Sequence, residues 1–224
     1  MKRYFGLVLA LVALLGAVYL VAPYLRTSQN VVPVGEQKQV EATSTTVHEE
    51  SDTYRVDMEY PQFGILPIDT DIKSKVDAAI AEFKGLPPNP PDSATPQNSF
   101  DGSFDSVYVG PDVVSVRLIF SQYTGGAHPM TILSGLNYDR AGRQLLQSDA
   151  FEMIGMTVEQ VSAVATADLN AKLGAAMFEE GANTNPENFS SFIIFADTVT
   201  FIFQPYQVAP YAAGAQEVSF ERKK

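Results

Sequence analysis

Three consecutive runs of alternating apolar and polar residues constrain this chain most. In "SFDGSFDSVYVG", Phe100, Phe104 and Tyr108 recur on one side. In "VVSVRLIFSQY", Val114, Val116, Leu118 and Phe120 do so, and in "TILSGLNYD" Ile132, Leu136 and Tyr138. A period of two over this length is the signature of half-buried β-strands. Gly125-Gly126 lies between the second and third runs, where glycine reaches positive φ at little cost, so the pair predicts a hairpin. "YRVDMEY" adds an earlier strand, with Tyr54, Val56, Met58 and Tyr60 on one face.

Two stretches carry the helical period. Ile72, Val76, Ile80 and Phe83 form one stripe, with Asp69 to Asp71 as candidate caps and Gly85 as the stop. Met156 to Glu180 is the longer, with Thr157 and Gln160 as a capping box and Val161, Ala165, Leu169, Leu173 and Met177 as its stripe. "LPPNPPDSATPQ" between the first helix and the strands is a proline-rich loop. "FIIFADTVTFIFQ" reads as two short strands around Ala196-Asp197, and "AQEVSFERK" as a last one. The order β-α-β-β-β-α-β-β-β predicts an α+β fold, an antiparallel sheet with two main helices packed on it.

Phe5 to Ala22 is an 18-residue run without charge. As a helix it would span about 27 Å, close to the hydrocarbon thickness of a bilayer. Lys2 and Arg3 precede it, which puts the N-terminus in the cytoplasm and the rest outside. The expected organisation is a single-pass membrane anchor over residues 1–26, with a cleaved signal peptide as the competing reading, a flexible polar stalk over 27–51 and an extracytoplasmic domain over 52–224. That domain divides into halves at 52–150 and 151–224. Residues 31–224 hold 12 basic and all 26 acidic residues, a formal charge of −14. Such a surface repels phosphate backbones, which excludes nucleic-acid binding, and it attracts basic partners.

Chemistry-bearing motifs are few. There is no cysteine, hence no thiol nucleophile and no Cys-ligated metal. No nucleophile elbow, zinc-binding H-E-x-x-H or phosphate loop is present, so no cofactor, metal or catalytic set is expected. His128, in "FSQYTGGAHPM", is one of two histidines and stands apart from His48 in the expected stalk. A small envelope hydrolase using His128 with carboxylates such as Asp139 or Asp149 is the competing reading. The favoured one is a binding surface. Its candidate residues are Tyr123, Gly125, Gly126 and His128 in the hairpin, and Tyr206, Gln207 and Tyr211 in the proline-broken loop "FIFQPYQVAPYAAGAQEV". Tyrosines beside prolines make a rigid amphipathic contact surface.

"YTGGAHP" at 123–129, "LNYDRAGRQL" at 136–145 and "FIFQPYQVAPYAAG" at 201–214 resemble the RsiV-type extracytoplasmic domain family, domain of unknown function 3298 with its 4163-type N-terminal segment. The resemblance covers roughly residues 53–222. It implies an α+β ectodomain outside a bacterial membrane. In RsiV-type members the domain binds lysozyme, and binding exposes an anti-sigma factor to cleavage. Other members join it to a polysaccharide deacetylase. Here only about four residues precede the apolar run and no deacetylase segment follows, so the expectation is the binding role alone. The expected partner is a basic protein such as lysozyme or a cell-wall component.

Overall fold

The computed structural model describes residues 42–89 and 94–223. The expected anchor and residues 27–41 of the expected stalk lie outside them. Among the described residues no helix is long and apolar enough to cross a membrane. In chain order the elements are β1 (Thr43–Glu50), β2 (Tyr54–Gln62), α1 (Leu66–Lys84), β3 (Asn98–Val109), β4 (Val113–Tyr123), β5 (Met130–Asp139), α2 (Gln147–Ile154), α3 (Val158–Leu173), β6 (Phe192–Ile194), β7 (Thr198–Phe203) and β8 (Gln216–Glu221).

The fold is α+β, but the single antiparallel sheet with two helices is corrected to two sheets and three α-helices among the described residues. Strands β1 to β5 form a mixed sheet in sequence order, and β6 to β8 a second, antiparallel one. In the first sheet β2 and β3 run parallel. The cause is α1: a 19-residue helix returns the chain to the end where β2 began, and a strand entered there must be parallel.

A second correction concerns the stalk. Thr43–Glu50, "TSTTVHEE", is not flexible linker but edge strand β1, paired antiparallel from Thr43↔Gln62 to Glu50↔Arg55. Only Val47 among its residues is apolar, so no alternation showed, and its Thr and Val content suits a strand for other reasons. Strand β1 therefore begins nine residues before the expected start of the domain at Asp52. His48 faces Asp57 across this pair, Nδ1 to Oδ1 at 2.5 Å.

Helix α1 covers one face of the first sheet. Ile68, Ile72, Val76, Ile80 and Phe83 bury against Val56, Met58, Tyr60, Val114, Val116, Leu118, Leu136 and Tyr138. Phe83, Phe100 and Phe120 continue the contact as a stack, with centroids 5.1 and 5.5 Å apart. The helix starts at Leu66 with Pro67 in its first turn, and the expected aspartate cap acts otherwise: Asp69 accepts the Phe63 N–H at 2.8 Å. In β3 the expected shared face ends at Phe104. The register shifts between Asp105 and Tyr108, with Ser106 at φ 51°. This bulge turns Val107 toward α1 and Tyr108 to the opposite side, against Phe195.

The second sheet buries Phe192, Ile194, Val199, Phe201, Phe203, Val218 and Phe220 against α2 and α3. The predicted capping box holds: Thr157 Oγ1 accepts the Gln160 N–H, and Gln160 Oε1 accepts the Thr157 N–H. Val161, Ala165 and Leu169 are buried as expected. The helix ends at Leu173 rather than near Glu180, because Gly174 takes φ 55°. Helix α2, "QSDAFEMI", was not foreseen; two turns are too short to show a period.

The two sheets meet through polar groups. Ser115 Oγ donates to Asn137 Oδ1 at 2.6 Å and accepts the Ile194 N–H at 2.9 Å, while Asn137 Nδ2 donates to the Phe192 carbonyl at 2.7 Å. The outer edge of β5 is capped by side chains of the second sheet. Gln204 bonds both the N–H and the C=O of Leu133, and Ser191 Oγ accepts from Gly135 and donates to Leu133. An edge so covered offers little for another strand to pair with. Arg117 grips Asp105 with both arms of its fork, at 2.6 and 2.7 Å, and also reaches Glu217 on β8.

Asp71 on α1 pairs with Lys75 one turn on in the same helix, and the Tyr138 hydroxyl of β5 donates to it at 2.7 Å, tying the helix to the strand. Burial alone would push the Asp71 carboxyl up. Hydrogen bonds from Lys75 and from the Tyr138 hydroxyl outweigh it and hold the group below the ordinary carboxylate range. A carboxyl depressed in the folded state stabilises fully above its unfolded pKa, near about 4, and that stabilisation disappears as pH falls through the folded value. Asp71→Asn therefore lowers the thermal midpoint at about pH 7 but much less at about pH 2. Equal losses at both pH values in scanning calorimetry would remove the ion pair from the account.

Candidate functional site

The β4–β5 hairpin is turned by the two predicted glycines, Gly125 at φ 97° and Gly126 at φ 113°. Both values lie where a β-branched residue is strained. The Tyr123 hydroxyl donates to the Gly126 carbonyl at 3.3 Å and braces the turn. His128 is exposed, and its Nδ1 lies 2.8 Å from the Pro129 carbonyl oxygen. A carbonyl only accepts, so Nδ1 carries the hydrogen and Nε2 bears the lone pair of the neutral ring.

The loop between β7 and β8 comes to the same place. The Tyr211 hydroxyl donates to that same Pro129 carbonyl at 2.9 Å. Its ring stacks on His128 with centroids 3.9 Å apart and planes 16° from parallel. Tyr206 joins Tyr211 at 5.3 Å, tilted 37°. His128, Tyr211 and Tyr206 thus form one ring cluster, contributed by a hairpin of the first sheet and a loop of the second. Tyr206 is 51 % exposed.

Gln207, also a sequence candidate, has a different position. Its Oε1 accepts the Gln204 N–H at 2.8 Å, and its Nε2 donates to the Gly181 and Asn188 carbonyls at 2.9 Å each. These bonds use its amide as a strut that ties the loop to the segment before β6 rather than as a contact surface. The strut holds Tyr206 at φ 71°, a region that non-glycine residues seldom adopt. The shared acceptor, the Pro129 carbonyl, was missed, and no side-chain pattern could have marked a backbone oxygen.

Of the carboxylates named for the hydrolase reading, Asp139 lies far from His128. Asp139 ends β5 and Pro129 precedes its first residue, so ten extended residues at about 3.3 Å each put the two roughly 30 Å apart. Asp139 is committed locally: the Arg143 and Ala141 N–H groups bond it, and with the Arg143 side chain they hold its carboxyl below the usual range. Asp149 accepts from the Leu146 N–H and from Arg143. Among the described residues no group of three His, Cys, Asp or Glu side chains could hold a metal ion. What the cluster can do is stack against a ligand and hydrogen-bond at its rim.

Comparison with known proteins divides the chain at this site. Residues 47–131 match the family "Deacetylase PdaC", and residues 155–223 match "Protein of unknown function (DUF3298)", as the resemblance implied for the second half. His128 falls in the first match, Tyr206 and Tyr211 in the second. The chain is 26% identical over 183 residues to the peptidoglycan-N-acetylmuramic acid deacetylase PdaC of Bacillus subtilis. That alignment covers 79% of this chain and 39% of the deacetylase. It is 27% identical over 110 residues to the immunogenic protein MPT64 of Mycobacterium tuberculosis, covering 48% of each. The chain therefore spans less than half the length of these relatives. A crystal structure of a DUF3298 family member from Bacteroides fragilis shares the fold, with a TM-score of 0.52 at 18% identity over 81% of this chain and 90% of that one.

Proposed function

We propose that residues 42–223 are an extracytoplasmic binding domain of the cell envelope, carried on the N-terminal apolar run as a single-pass anchor, and that its ligand belongs to the cell wall. The observation that carries this reading is the ring cluster of His128, Tyr211 and Tyr206. It exists only where the two matched halves pack, so it is a property of the joined domain. Loops at a sheet end, placed by a rigid scaffold, are where binding residues concentrate. The likeness to a peptidoglycan deacetylase supports the envelope location and a wall ligand. The formal −14 of residues 31–224 supports a second reading with the same location, capture of a basic wall-lytic protein such as lysozyme. The domain binds and performs no chemical step.

The test is co-sedimentation of the purified chain with insoluble peptidoglycan sacculi, beside capture by immobilised lysozyme. Sacculi should carry the protein down, and Tyr211→Ala should lower the bound fraction several-fold while the protein stays folded by far-UV circular dichroism. Retention by lysozyme alone would select the second reading. Binding to neither would end both.

A further inference from the structure

Resting on the wall-ligand reading, we infer that the ring cluster is a stacking platform for an uncharged glycan strand. The first argument is pre-organisation. Tyr206 holds φ 71°, a conformation that side-chain-bearing residues adopt only under strain. Three hydrogen bonds of the adjacent Gln207 fix it there, tying the loop to Gly181 and Asn188. The outcome is a ring left half in solvent, against the tendency of a large aromatic to bury. A loop braced in this way presents a rigid face, and rigidity lowers the ordering cost of binding.

The second argument is the chemistry of the groups presented. An aromatic face matches the C–H face of a pyranose ring, while sugar hydroxyls need partners at the rim. His128 supplies one: its Nδ1 hydrogen is spent on the Pro129 carbonyl, so Nε2 is an acceptor for a hydroxyl hydrogen. Tyr211 keeps its hydroxyl on the same carbonyl and contributes its ring.

The third argument excludes other occupants. An anionic polymer meets a domain of formal charge −14 and, in the cluster itself, no lysine or arginine. An extended peptide finds the neighbouring edge of β5 taken. Leu133 and Gly135 are bonded by Gln204 and Ser191, and the Pro129 carbonyl by Tyr211 and His128. What fits is a ligand with apolar ring faces, hydroxyls and no charge.

The experiment titrates the full chain, in detergent micelles, with the β-1,4-linked hexamer of N-acetylglucosamine, by calorimetry and by saturation-transfer NMR. Binding is expected. Tyr206→Ala should weaken it about 3- to 10-fold, as for an aromatic contact worth roughly 0.5–1.5 kcal/mol, while Tyr206→Phe stays within about twofold. Because Tyr206 is exposed, both variants should keep the parent thermal midpoint. Hexamer binding that Tyr206→Ala leaves unchanged overturns the platform. Failure of the hexamer while sacculi are still bound also overturns it, but leaves the wall-ligand reading standing. Failure of both hexamer and sacculi removes the two together.

Discussion

Replacing Phe201 with alanine lowers the unfolding free energy by about 3–5 kcal/mol. Phe201 lies in the middle strand of the second sheet and is fully buried. Its ring meets Phe151 at 5.6 Å, Phe189 at 5.3 Å, Phe192 at 6.0 Å and Phe220 at 5.8 Å. Truncation removes the apolar area of the ring and leaves a cavity walled by four other rings. Those rings sit on α2, on the segment before β6 and on two neighbouring strands, so they cannot all collapse inward together. A well-packed interior relaxes only in part around such a hole. Urea denaturation followed by far-UV circular dichroism measures the change. A loss below about 1 kcal/mol would mean that the ring cluster repacks freely.

The legibility of this fold tracked how strongly each segment's burial imprinted a period. Strands β3 to β5 each bury one face under α1, and their alternation placed them, although Ile132 of the expected β5 face is exposed and Tyr108 of the expected β3 face turns to the other side. Helix α3 announced itself through Thr157, Gln160 and the stripe Val161, Ala165 and Leu169. Edge strand β1 was invisible because, of its inward residues Thr45, Val47 and Glu49, only Val47 is apolar, which makes no pattern. The parallel pairing of β2 and β3 was equally hidden, since a period of two says nothing about which neighbour a strand takes. Strands β6 and β7 are buried on both faces, which gives continuous apolar runs and conceals that they form a separate sheet.

The site divides in the same way. Gly125-Gly126 and the tyrosines beside prolines were conspicuous locally, and His128 stood out by rarity. That His128 stacks on Tyr211, 83 residues later, depends on how the two sheets dock. Docking is long-range and leaves no local signature. Gln207 shows the opposite error: it looked like part of a contact surface because of its neighbours, yet its amide is consumed by three bonds, one to Gln204 within the loop and two that tie the loop to Gly181 and Asn188.

Gly135 controls that docking, and Gly135→Ala should destabilise the protein by about 3 kcal/mol or more. A Cβ built on Gly135 would lie 1.8 Å from the Phe192 carbonyl oxygen, 2.6 Å from its carbon and 2.9 Å from its nitrogen. All three atoms are backbone, so no side-chain rotation relieves the clash. Either β5 or β6 must move. Overpacking of this kind costs about 1–3 kcal/mol by itself. The same movement stretches two neighbouring bonds, Asn137 Nδ2 to the Phe192 carbonyl and the Ile194 N–H to Ser115 Oγ. Those groups are buried, and each one left unsatisfied costs about 1–3 kcal/mol more. Gly126→Ala is the matching control. Gly126 also lacks a side chain and has φ 113°, but nothing lies within 4 Å of its would-be Cβ. Only backbone strain opposes it, on the order of 1–3 kcal/mol, without the clash or the broken bonds. Urea midpoints of the two variants, measured side by side, decide between close approach and conformational freedom. A Gly135→Ala protein as stable as Gly126→Ala would show that the sheets are not held at the distance that brings His128 onto Tyr211.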